Sequence, residues 1–231
     1  MSSAAETGVG VIAIVGGTGA LGSGLALRLA RAGHDVVIGS RDAARAAEAA
    51  EAMAAEAGAP LRGTDNVTAA GEADLILVTV PFASQAATLA QIAPAAAGKV
   101  VVDATVPLKP PKVARVQLPA EGSAAAIAAA ALGPDVRLVT AFHSTSAQKL
   151  RSGAPMEADV LVFGDDVGAR DTVVGLIDSL GLTGVHGGPL DNAVAAEAMT
   201  SVLISINRRY GVAEGAGIRI TGIDRSGPDP A

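Results

Sequence analysis

The chain contains no cysteine and almost no aromatic side chains. Among its 231 residues there is no tryptophan, one tyrosine and three phenylalanines. Without cysteine the sequence excludes disulfides, a thiol nucleophile and any metal site with thiolate ligands. Half of the residues are nevertheless hydrophobic, so the core must consist of alanine, valine, leucine and isoleucine. A chain of this length can bury a core sufficient for one or two domains.

Two further absences restrict the expected location and partners. The first residues include the acidic Glu6 and lack a basic segment before a hydrophobic block, unlike a secretory signal peptide. No apolar run reaches the roughly 18–20 residues of a membrane span. Because a cysteine-free chain also fits a reducing compartment, we expect a cytoplasmic protein without membrane association. The net charge of −6 disfavours nucleic acid as a partner, since non-specific binding to it needs a basic surface.

A glycine turn between a predicted strand and a predicted helix is the most informative motif. Val11–Val15 is an apolar run, and Ala20–Arg31 has the pattern of an amphipathic helix. Between them, Gly17, Gly19 and Gly22 have the G-x-G-x-x-G spacing of dinucleotide-binding turns. Such glycines let the backbone approach a pyrophosphate, which the N–H groups of the helix N-terminus then bind. The motif therefore predicts a dinucleotide site.

The end of the next predicted strand distinguishes between two dinucleotides. Ser40 and Arg41 follow it at the place where proteins that bind NAD usually carry an acid for the ribose 2′-hydroxyl. A hydroxyl and a guanidinium suit a 2′-phosphate, which a carboxylate would repel. Arg41 and Arg45 share a face near the start of a predicted helix, an unfavourable place for two cations unless an anion binds there. This segment predicts NADP.

Predicted strands and helices alternate along the first part of the chain, as they do in parallel sheets. Beyond the elements named above, strands are predicted at residues 36–39, 61–63, 75–80, 100–103 and 137–141, and helices at residues 43–57, 84–92 and 123–132. Four prolines exclude a regular helix from residues 105–119. This segment is a long loop after a strand, where doubly wound sheets bind ligands, so we expect it to take part in the site.

After residue 141 the pattern changes. A strand is predicted at residues 159–163, followed by helices at residues 167–180 and 192–210. We therefore predict an α/β fold with a Rossmann-type doubly wound parallel sheet, in which residues 9–141 bind NADP and residues 142–223 form a smaller C-terminal α+β domain. Residues 1–8 and 224–231 are predicted to be disordered tails.

Several motifs together resemble the NADPH-dependent coenzyme F420 reductases, also called F420:NADP oxidoreductases. These motifs are GGTGALG at residues 16–22, GSR at 39–41, AFH at 141–143, GPLDN at 188–192, ISINRRY at 204–210 and GAGIRI at 215–220. The resemblance implies reversible hydride transfer between C4 of the nicotinamide of NADP(H) and C5 of the deazaflavin ring of F420. It also implies that F420 is the co-substrate, lies in a cleft between two domains, and is bound by a homodimer.

Matched position by position, the resemblance implies a role for several short segments. The pyrophosphate would be held by Thr18, Gly19, Ala20 and Leu21. The 2′-phosphate would be held by Ser40, Arg41 and Arg45. The nicotinamide side would be lined by Val80, Val106, Ala147 and Ala216. The deazaflavin would face Pro81, Phe82, His143, Ser144, Thr145 and Ser146. No metal is implied, and no residue is implied as an essential acid or base.

His143 follows a predicted strand and is therefore expected at the ligand-binding edge of the sheet. Hydride transfer requires mainly that two rings be held at the right distance and orientation. His143 is accordingly predicted either to be structural, as a lone histidine often is, or to orient the deazaflavin, and in neither case to be an essential acid or base. Two alternatives to reduction of F420 stay open for the function of the protein. One is another NADP-dependent reductase that acts on an imine or ketone, and the other is a non-catalytic NADP-sensing regulator without a substrate cleft.

Three basic clusters are candidates for binding an anionic part of the substrate. They lie at residues 109–115, 149–151 and 208–209. Solvent exposure is the usual situation of lysine and arginine, and attraction of the strongly anionic F420 tail is the functional alternative. The sequence leaves the choice among the clusters open.

Overall fold

The computed structural model describes residues 8–223, and an eight-stranded sheet forms their centre. The strands are β1 (Val11–Val15), β2 (Asp35–Ser40), β3 (Arg62–Asp65), β4 (Leu75–Val78), β5 (Val100–Asp103), β6 (Arg137–Thr140), β7 (Asp159–Gly164) and β8 (Thr183–Gly188). Their order is β3-β2-β1-β4-β5-β6-β7-β8. All neighbours are parallel except β6 and β7, which are antiparallel. Along the chain, β2 and β3 are added on one side of β1, and β4 then begins the series on its other side. The switch point of the sheet therefore lies between β1 and β4.

Helices cover both faces of the sheet. They are α1 (Ala20–Arg31), α2 (Ala43–Ala57), α3 (Asn66–Glu72), α4 (Phe82–Ala96), α5 (Ala124–Leu132), α6 (Ala147–Ser152), α7 (Val167–Ser179) and α8 (Ala193–Tyr210). A short 3-10 helix, Leu190–Asn192, precedes α8. Within the described part of the chain, none of these helices is both long enough and apolar enough to span a membrane.

The side chains of β1 alternate between two hydrophobic cores. Ile12 and Ile14 belong to a core built with α1, α2 and α7. Ala13 and Val15 belong to a second core, built with α3, α4 and α5. Because successive side chains of a strand point to opposite faces, a strand that is covered on both faces is apolar throughout. This explains why VIAIV has no polar residue, and the predicted doubly wound sheet is confirmed.

Local sequence signals predicted some elements to the residue and missed others. The predicted bounds of β1, β5, α1 and α2 are confirmed. By contrast, β8 and α6 were not predicted at all. The sequence of β8, TGVHGG, is half glycine and has no regular hydrophobic alternation. The helix α6 has only six residues, too few to show an amphipathic period.

The C-terminal part of the chain extends the same sheet. β7 joins β6 through the pairs Val139 with Gly164 and Thr140 with Phe163, and β8 then pairs with β7. The sheet is therefore continuous across residue 141, and the division into two domains at that point stays a prediction. Of the predicted tails, Gly8 precedes β1 without regular structure, and residues 1–7 and 224–231 lie outside the described residues.

Candidate functional site

A cleft of about 640 Å³, here called the main cleft, lies at the edge of the sheet where β1, β2, β4 and β5 end. Residues at or just after the ends of these four strands line it, namely Gly16, Ser40, Thr79 and Ala104. The main cleft therefore lies at the switch point of the sheet. This is the position at which doubly wound sheets bind their ligands.

The glycine turn between β1 and α1 forms one wall of the main cleft. The N–H of Gly17 donates hydrogen bonds to the carbonyls of Ile14 and Gly39, both at 3.0 Å. A Cβ atom at Gly22 would lie 2.6 Å from Thr79 Oγ1, and closer contacts than 3.0 Å require something to shift. The glycine spacing is thus required by the close packing of the turn against the segment that follows β4.

The N-terminus of α1 opens onto the main cleft without a side-chain cap. Its N-cap residue is Gly19, and the N–H of Ser23 donates to the Gly19 carbonyl at 2.8 Å. The N–H groups of the first turn of α1 have no acceptor within the helix, and the positive end of the helix dipole adds to them. The four residues expected to hold a pyrophosphate all line the cleft here: Thr18, Gly19, Ala20 and Leu21. The arrangement fits a phosphate group.

Two arginines extend the main cleft beyond the end of β2. Arg41 and Arg45 are exposed, line the cleft and form no ion pair within residues 8–223. The neighbouring Asp42 caps α2 instead, because its carboxylate accepts from the N–H groups of Ala44 and Arg45. Ser40 lies beside them, and its Oγ is 3.4 Å from the N–H of Asp42. Two guanidinium groups and a hydroxyl without an opposing carboxylate suit a 2′-phosphate.

Asn66, the first residue of α3, also lines the main cleft. The cap of α3 is Asp65, which accepts from two N–H groups of the first turn at 3.0 Å. Asn66 is 6% exposed, and its Oδ1 accepts from the N–H of Gly16 at 3.3 Å. A Cβ atom at Gly39 would lie 2.8 Å from the same oxygen. Asn66 thus joins the glycine turn to the end of β2.

The β5 side of the main cleft is formed by two loops with mainly apolar residues. Val80, Pro81 and Phe82 follow β4, and Val106 follows β5. The proline-rich loop contributes further residues to the lining, namely Thr105, Leu108, Pro110 and Val113. This loop was expected to take part in the site, and the structure places its first half there. Pro81 and Phe82, which the resemblance assigns to the deazaflavin, line the same cleft as the predicted nucleotide residues.

The other predicted site residues lie around a second cleft of about 360 Å³, between the loop after β6 and the helix α8. His143, Ser144, Thr145, Ser146 and Ala216 line this second cleft, and none of them lines the main cleft. Ala147, the first residue of α6, lines neither, and its carbonyl oxygen lies 2.9 Å from the position of a Cβ atom at Gly24 in α1. The structure therefore divides the predicted residues between the two clefts, with Ala147 outside both.

His143 is buried, and burial lowers the pKa of its imidazole to about 4. Its ring is tilted against Phe163, with 6.0 Å between the ring centroids. Within the described residues its Nε2 atom has no hydrogen-bond partner. Thr200 Oγ1 donates to the His143 carbonyl at 2.9 Å and so joins this loop to α8. The imidazole is neutral at neutral pH, which suits a hydrogen-bonding role and not that of a general acid.

Comparison with known proteins bears on the whole chain. The family model described as NADP oxidoreductase coenzyme F420-dependent matches residues 11–107. The F420-dependent NADP reductase of Methanothermobacter thermautotrophicus is 40% identical over an alignment of 222 positions that covers 92% of this chain and 95% of the relative. That of Methanocaldococcus jannaschii is 34% identical over 92% of this chain and 99% of the relative. The chain belongs to the F420-dependent NADP reductase family.

A solved structure agrees with membership of the F420-dependent NADP reductase family. A crystal structure from Arthrobacter sp. FB24, proposed to be an F420-dependent NADP reductase, superposes with a TM-score of 0.77 at 26% identity. The match covers 90% of this chain and 98% of that one. The family resemblance stated from the motifs is therefore confirmed. In this family member the described residues contain no cluster of three or more His, Asp or Glu that could hold a metal ion.

Proposed function

We propose that the protein catalyses reversible hydride transfer between NADP(H) and C5 of the deazaflavin coenzyme F420. The observation that carries this proposal is the main cleft. Within residues 8–223, it combines a helix N-terminus without a side-chain cap and two arginines without an ion pair at the switch point of the sheet. The chain aligns with an F420-dependent NADP reductase along 92% of its length. NADP(H) supplies the hydride at its nicotinamide, and the protein holds the two rings together.

Roles for the nucleotide half of the site follow from charge and hydrogen-bonding capacity. Thr18, Gly19, Ala20 and Leu21 hold the pyrophosphate in this proposal, since the first turn of α1 has free N–H donors. Arg41 and Arg45, with Ser40 beside them, bind the 2′-phosphate, because both guanidinium groups are exposed and unpaired within the described residues. The positions of these residues at one cleft support the assignment.

The ring-binding half draws on both clefts. Val80 and Val106 line the main cleft and form the nicotinamide wall in this proposal, together with Ala147 and Ala216. The deazaflavin lies against Pro81 and Phe82 on one side and against His143, Ser144, Thr145 and Ser146 on the other. His143 orients the ring through a hydrogen bond from a neutral imidazole. Its buried Nε2, which has no partner among residues 8–223, supports this role. No proton transfer by a protein side chain is required.

Assembly and location are part of the same proposal. The protein forms a homodimer through a surface that includes Val116, Leu118, Met199 and Val202. All four are exposed apolar residues, and a hydrogen bond from Ser201 Oγ to the Arg115 carbonyl joins the loop to α8. Sedimentation of the purified protein measures the assembly directly, and a monomer at all concentrations would contradict the proposal. A cytoplasmic location stays a prediction from the composition, as does the division at residue 141 into two domains.

The decisive experiment follows the absorbance of the deazaflavin when purified protein is mixed with NADPH and F420. We expect the oxidised deazaflavin band to disappear with NADPH and to return with NADP and reduced F420. A folded protein that binds NADPH and leaves the band unchanged would contradict the proposal. Turnover of an imine or ketone instead would favour another NADP-dependent reductase, and NADPH binding without any turnover would favour a regulator.

A further inference from the structure

Asp103 is a buried carboxylate directly behind the β5 side of the main cleft. It is the last residue of β5 and is 1% exposed. Its Oδ1 accepts from the N–H of Thr105 at 3.1 Å and from Thr105 Oγ1 at 2.6 Å. Its Oδ2 accepts from Gln85 Nε2. Asp103 does not line the cleft, whereas Thr105 does.

The contacts of Asp103 connect the two loops of the ring-binding wall. Gln85 belongs to α4, whose first residue, Phe82, lines the main cleft. Thr105 precedes Val106 in the loop after β5, and its Oγ1 lies 3.4 Å from the carbonyl oxygen of Val80. One carboxylate therefore holds two chain segments that lie side by side on the β5 side of the main cleft.

The same polar network reaches α8 through the start of α5. Gln85 Nε2 also donates to the Ala124 carbonyl at 3.0 Å. Glu197 of α8 is 1% exposed, and its carboxylate accepts from the N–H groups of Ala124 and Ala125 at 2.7 and 2.9 Å. Within residues 8–223 neither carboxylate forms an ion pair with a basic side chain. Two buried acids without cations are expensive to keep ionised.

The ionised form of Asp103 matches its neighbours better than the neutral form. All of its partners donate hydrogen bonds to it, so a proton on the carboxyl must face a donor. The neutral form avoids this clash of two hydrogens most simply if the Thr105 hydroxyl donates to the Val80 carbonyl and its oxygen accepts the carboxyl proton. This rearrangement changes the position of Thr105 at the cleft wall. Burial raises the pKa of Asp103 to about 6 despite its hydrogen bonds, so the neutral form is reached under mildly acidic conditions.

We propose that Asp103 is a positioning residue for hydride transfer, whose ionised carboxylate fixes Thr105 and Gln85 and thereby sets the positions of the two loops that form the nicotinamide wall. This inference rests on the proposed function. It predicts that the maximal rate falls when Asp103 is protonated, whereas the affinity for the phosphates, which are bound elsewhere in the cleft, does not change.

Few charged groups other than Asp103 itself can produce this pH dependence. The neighbouring elements β4, α4 and α5 contain no charged residue. Thr140 of β6 pairs with Asp103 in the sheet, and the charged residue of that strand, Arg137, is at its opposite end. Glu197 of α8 is the acid that faces Asp103, and burial together with the charge of Asp103 raises its pKa. A test must therefore separate Asp103 from Glu197.

The test compares wild type, Asp103→Asn and Glu197→Gln in kcat, KM for F420, dissociation constant for NADPH and pH profile. Asp103→Asn imitates the neutral carboxyl at every pH. We expect its kcat to be lower roughly tenfold to a hundredfold, as for a small misplacement of reacting groups, with NADPH affinity within about twofold. We also expect the ratio of wild-type to variant kcat to decrease as the pH falls through about 6. Titration of the substrates affects both enzymes and cancels in this ratio.

Glu197→Gln is the matched control for a purely structural role. It removes the other buried carboxylate, so it is expected to lower the unfolding free energy. It should keep the loss of kcat at acid pH, with a midpoint moved to lower pH because the repulsion between the two carboxylates is lost. A second pair, Thr105→Val and Thr105→Ser, removes and retains the hydroxyl, and we expect loss of kcat in the first and rescue in the second. This pair tests the positioning role of the contact between Asp103 and Thr105 if Asp103→Asn does not fold.

The outcomes separate the inference from the function on which it rests. Two results would overturn the positioning role alone, provided that the wild type turns over. One is a ratio of wild-type to Asp103→Asn kcat that does not change with pH. The other is an equal kcat in Thr105→Val and Thr105→Ser. Disappearance of the acid loss of kcat in Glu197→Gln would transfer the effect to Glu197 and also overturn the positioning role of Asp103. Absence of turnover by a folded, NADPH-binding wild type would contradict the proposed function, and the positioning role would fall with it.

Discussion

Arg41 tests the identity of the nucleotide at the scale of one residue. In Arg41→Ala a cation that binds only the 2′-phosphate is lost, so NADPH binding should weaken while NADH binding hardly changes. A hydrogen bond to a charged group is worth roughly 1.5–3 kcal/mol, which corresponds to roughly a 10–150-fold increase in the dissociation constant. Titration of nicotinamide fluorescence measures both cofactors. Arg137→Ala, at the other end of the sheet, is the control, and equal weakening of the two cofactors by Arg41→Ala would refute the role.

Asn66 should show the opposite selectivity. Its side chain holds the N–H of Gly16 and is packed against Gly39, so it supports the turn rather than the phosphate. Asn66→Ala removes one hydrogen bond, worth roughly 0.5–1.5 kcal/mol, and should weaken NADPH and NADH equally, by roughly 2–12-fold. The same fluorescence titration applies, and a preference for one cofactor would show that Asn66 touches the 2′-phosphate region directly.

The two residues also show how far local sequence reasoning reaches. Arg41 was identifiable because its predicted role follows from a local pattern: it comes directly after a strand end and lies four residues before Arg45. Asn66 was not, because its partner, Gly16, is 50 residues away in the sequence. Asp103 was missed for the same reason, since Gln85 and Glu197 come from distant helices. Contacts between elements decide these roles, and no spacing within one element reports them.

At the scale of elements, the packing of α1 on α6 explains a glycine that the nucleotide motif does not. A Cβ atom at Gly24 would lie 2.9 Å from the Ala147 carbonyl and 3.0 Å from Leu150 Cβ. Gly24→Ala should therefore lower the unfolding free energy by roughly 1–3 kcal/mol, measured by urea denaturation. It should also displace α6 and the residues before it, which line the second cleft.

Gly175 in α7 is the matched control for Gly24. A Cβ atom there meets nothing within 4 Å, so Gly175→Ala should stabilise the protein by roughly 0.5–1 kcal/mol because alanine favours the helix. If both variants changed stability in the same direction, close packing would not be the reason for glycine at position 24.

Element by element, the fold was predictable where one strand or helix carries its own signal. The buried strand β1 is fully apolar, and β5 is apolar except for its last residue, Asp103. The helices α1 and α2 have regular amphipathic patterns. β8 and α6 lack such patterns, because their stability comes from neighbours: β8 from pairing with β7, and α6 from packing on α1. The continuity of the sheet across residue 141 likewise depends on the pairing of β6 with β7, which the sequence does not encode locally.

At the scale of the whole molecule, two buried groups make opposite contributions to stability as the pH changes. The folded-state pKa of Asp103 is raised to about 6, so its contribution is most favourable below the unfolded value and is lost as the pH rises through about 6. The folded-state pKa of His143 is lowered to about 4, so folding becomes less favourable as the pH falls from the unfolded value towards about 4. Between these limits the two effects oppose each other, and the wild type should show a shallow pH dependence.

Substitution of His143 should expose the contribution of Asp103. In His143→Gln the imidazole no longer takes up a proton on unfolding, so the penalty at acid pH, at most about 3 kcal/mol, is removed. Relative to wild type, the variant should therefore gain unfolding free energy as the pH falls from neutrality towards about 4. Urea denaturation of both proteins at matched pH values measures this difference. His34→Gln serves as a comparison, since burial lowers the pKa of His34 as well. A difference between His143→Gln and wild type that does not vary with pH would mean that His143 is solvated and already protonates in the folded protein, and its proposed role as a neutral hydrogen-bonding group beside the deazaflavin would then be wrong.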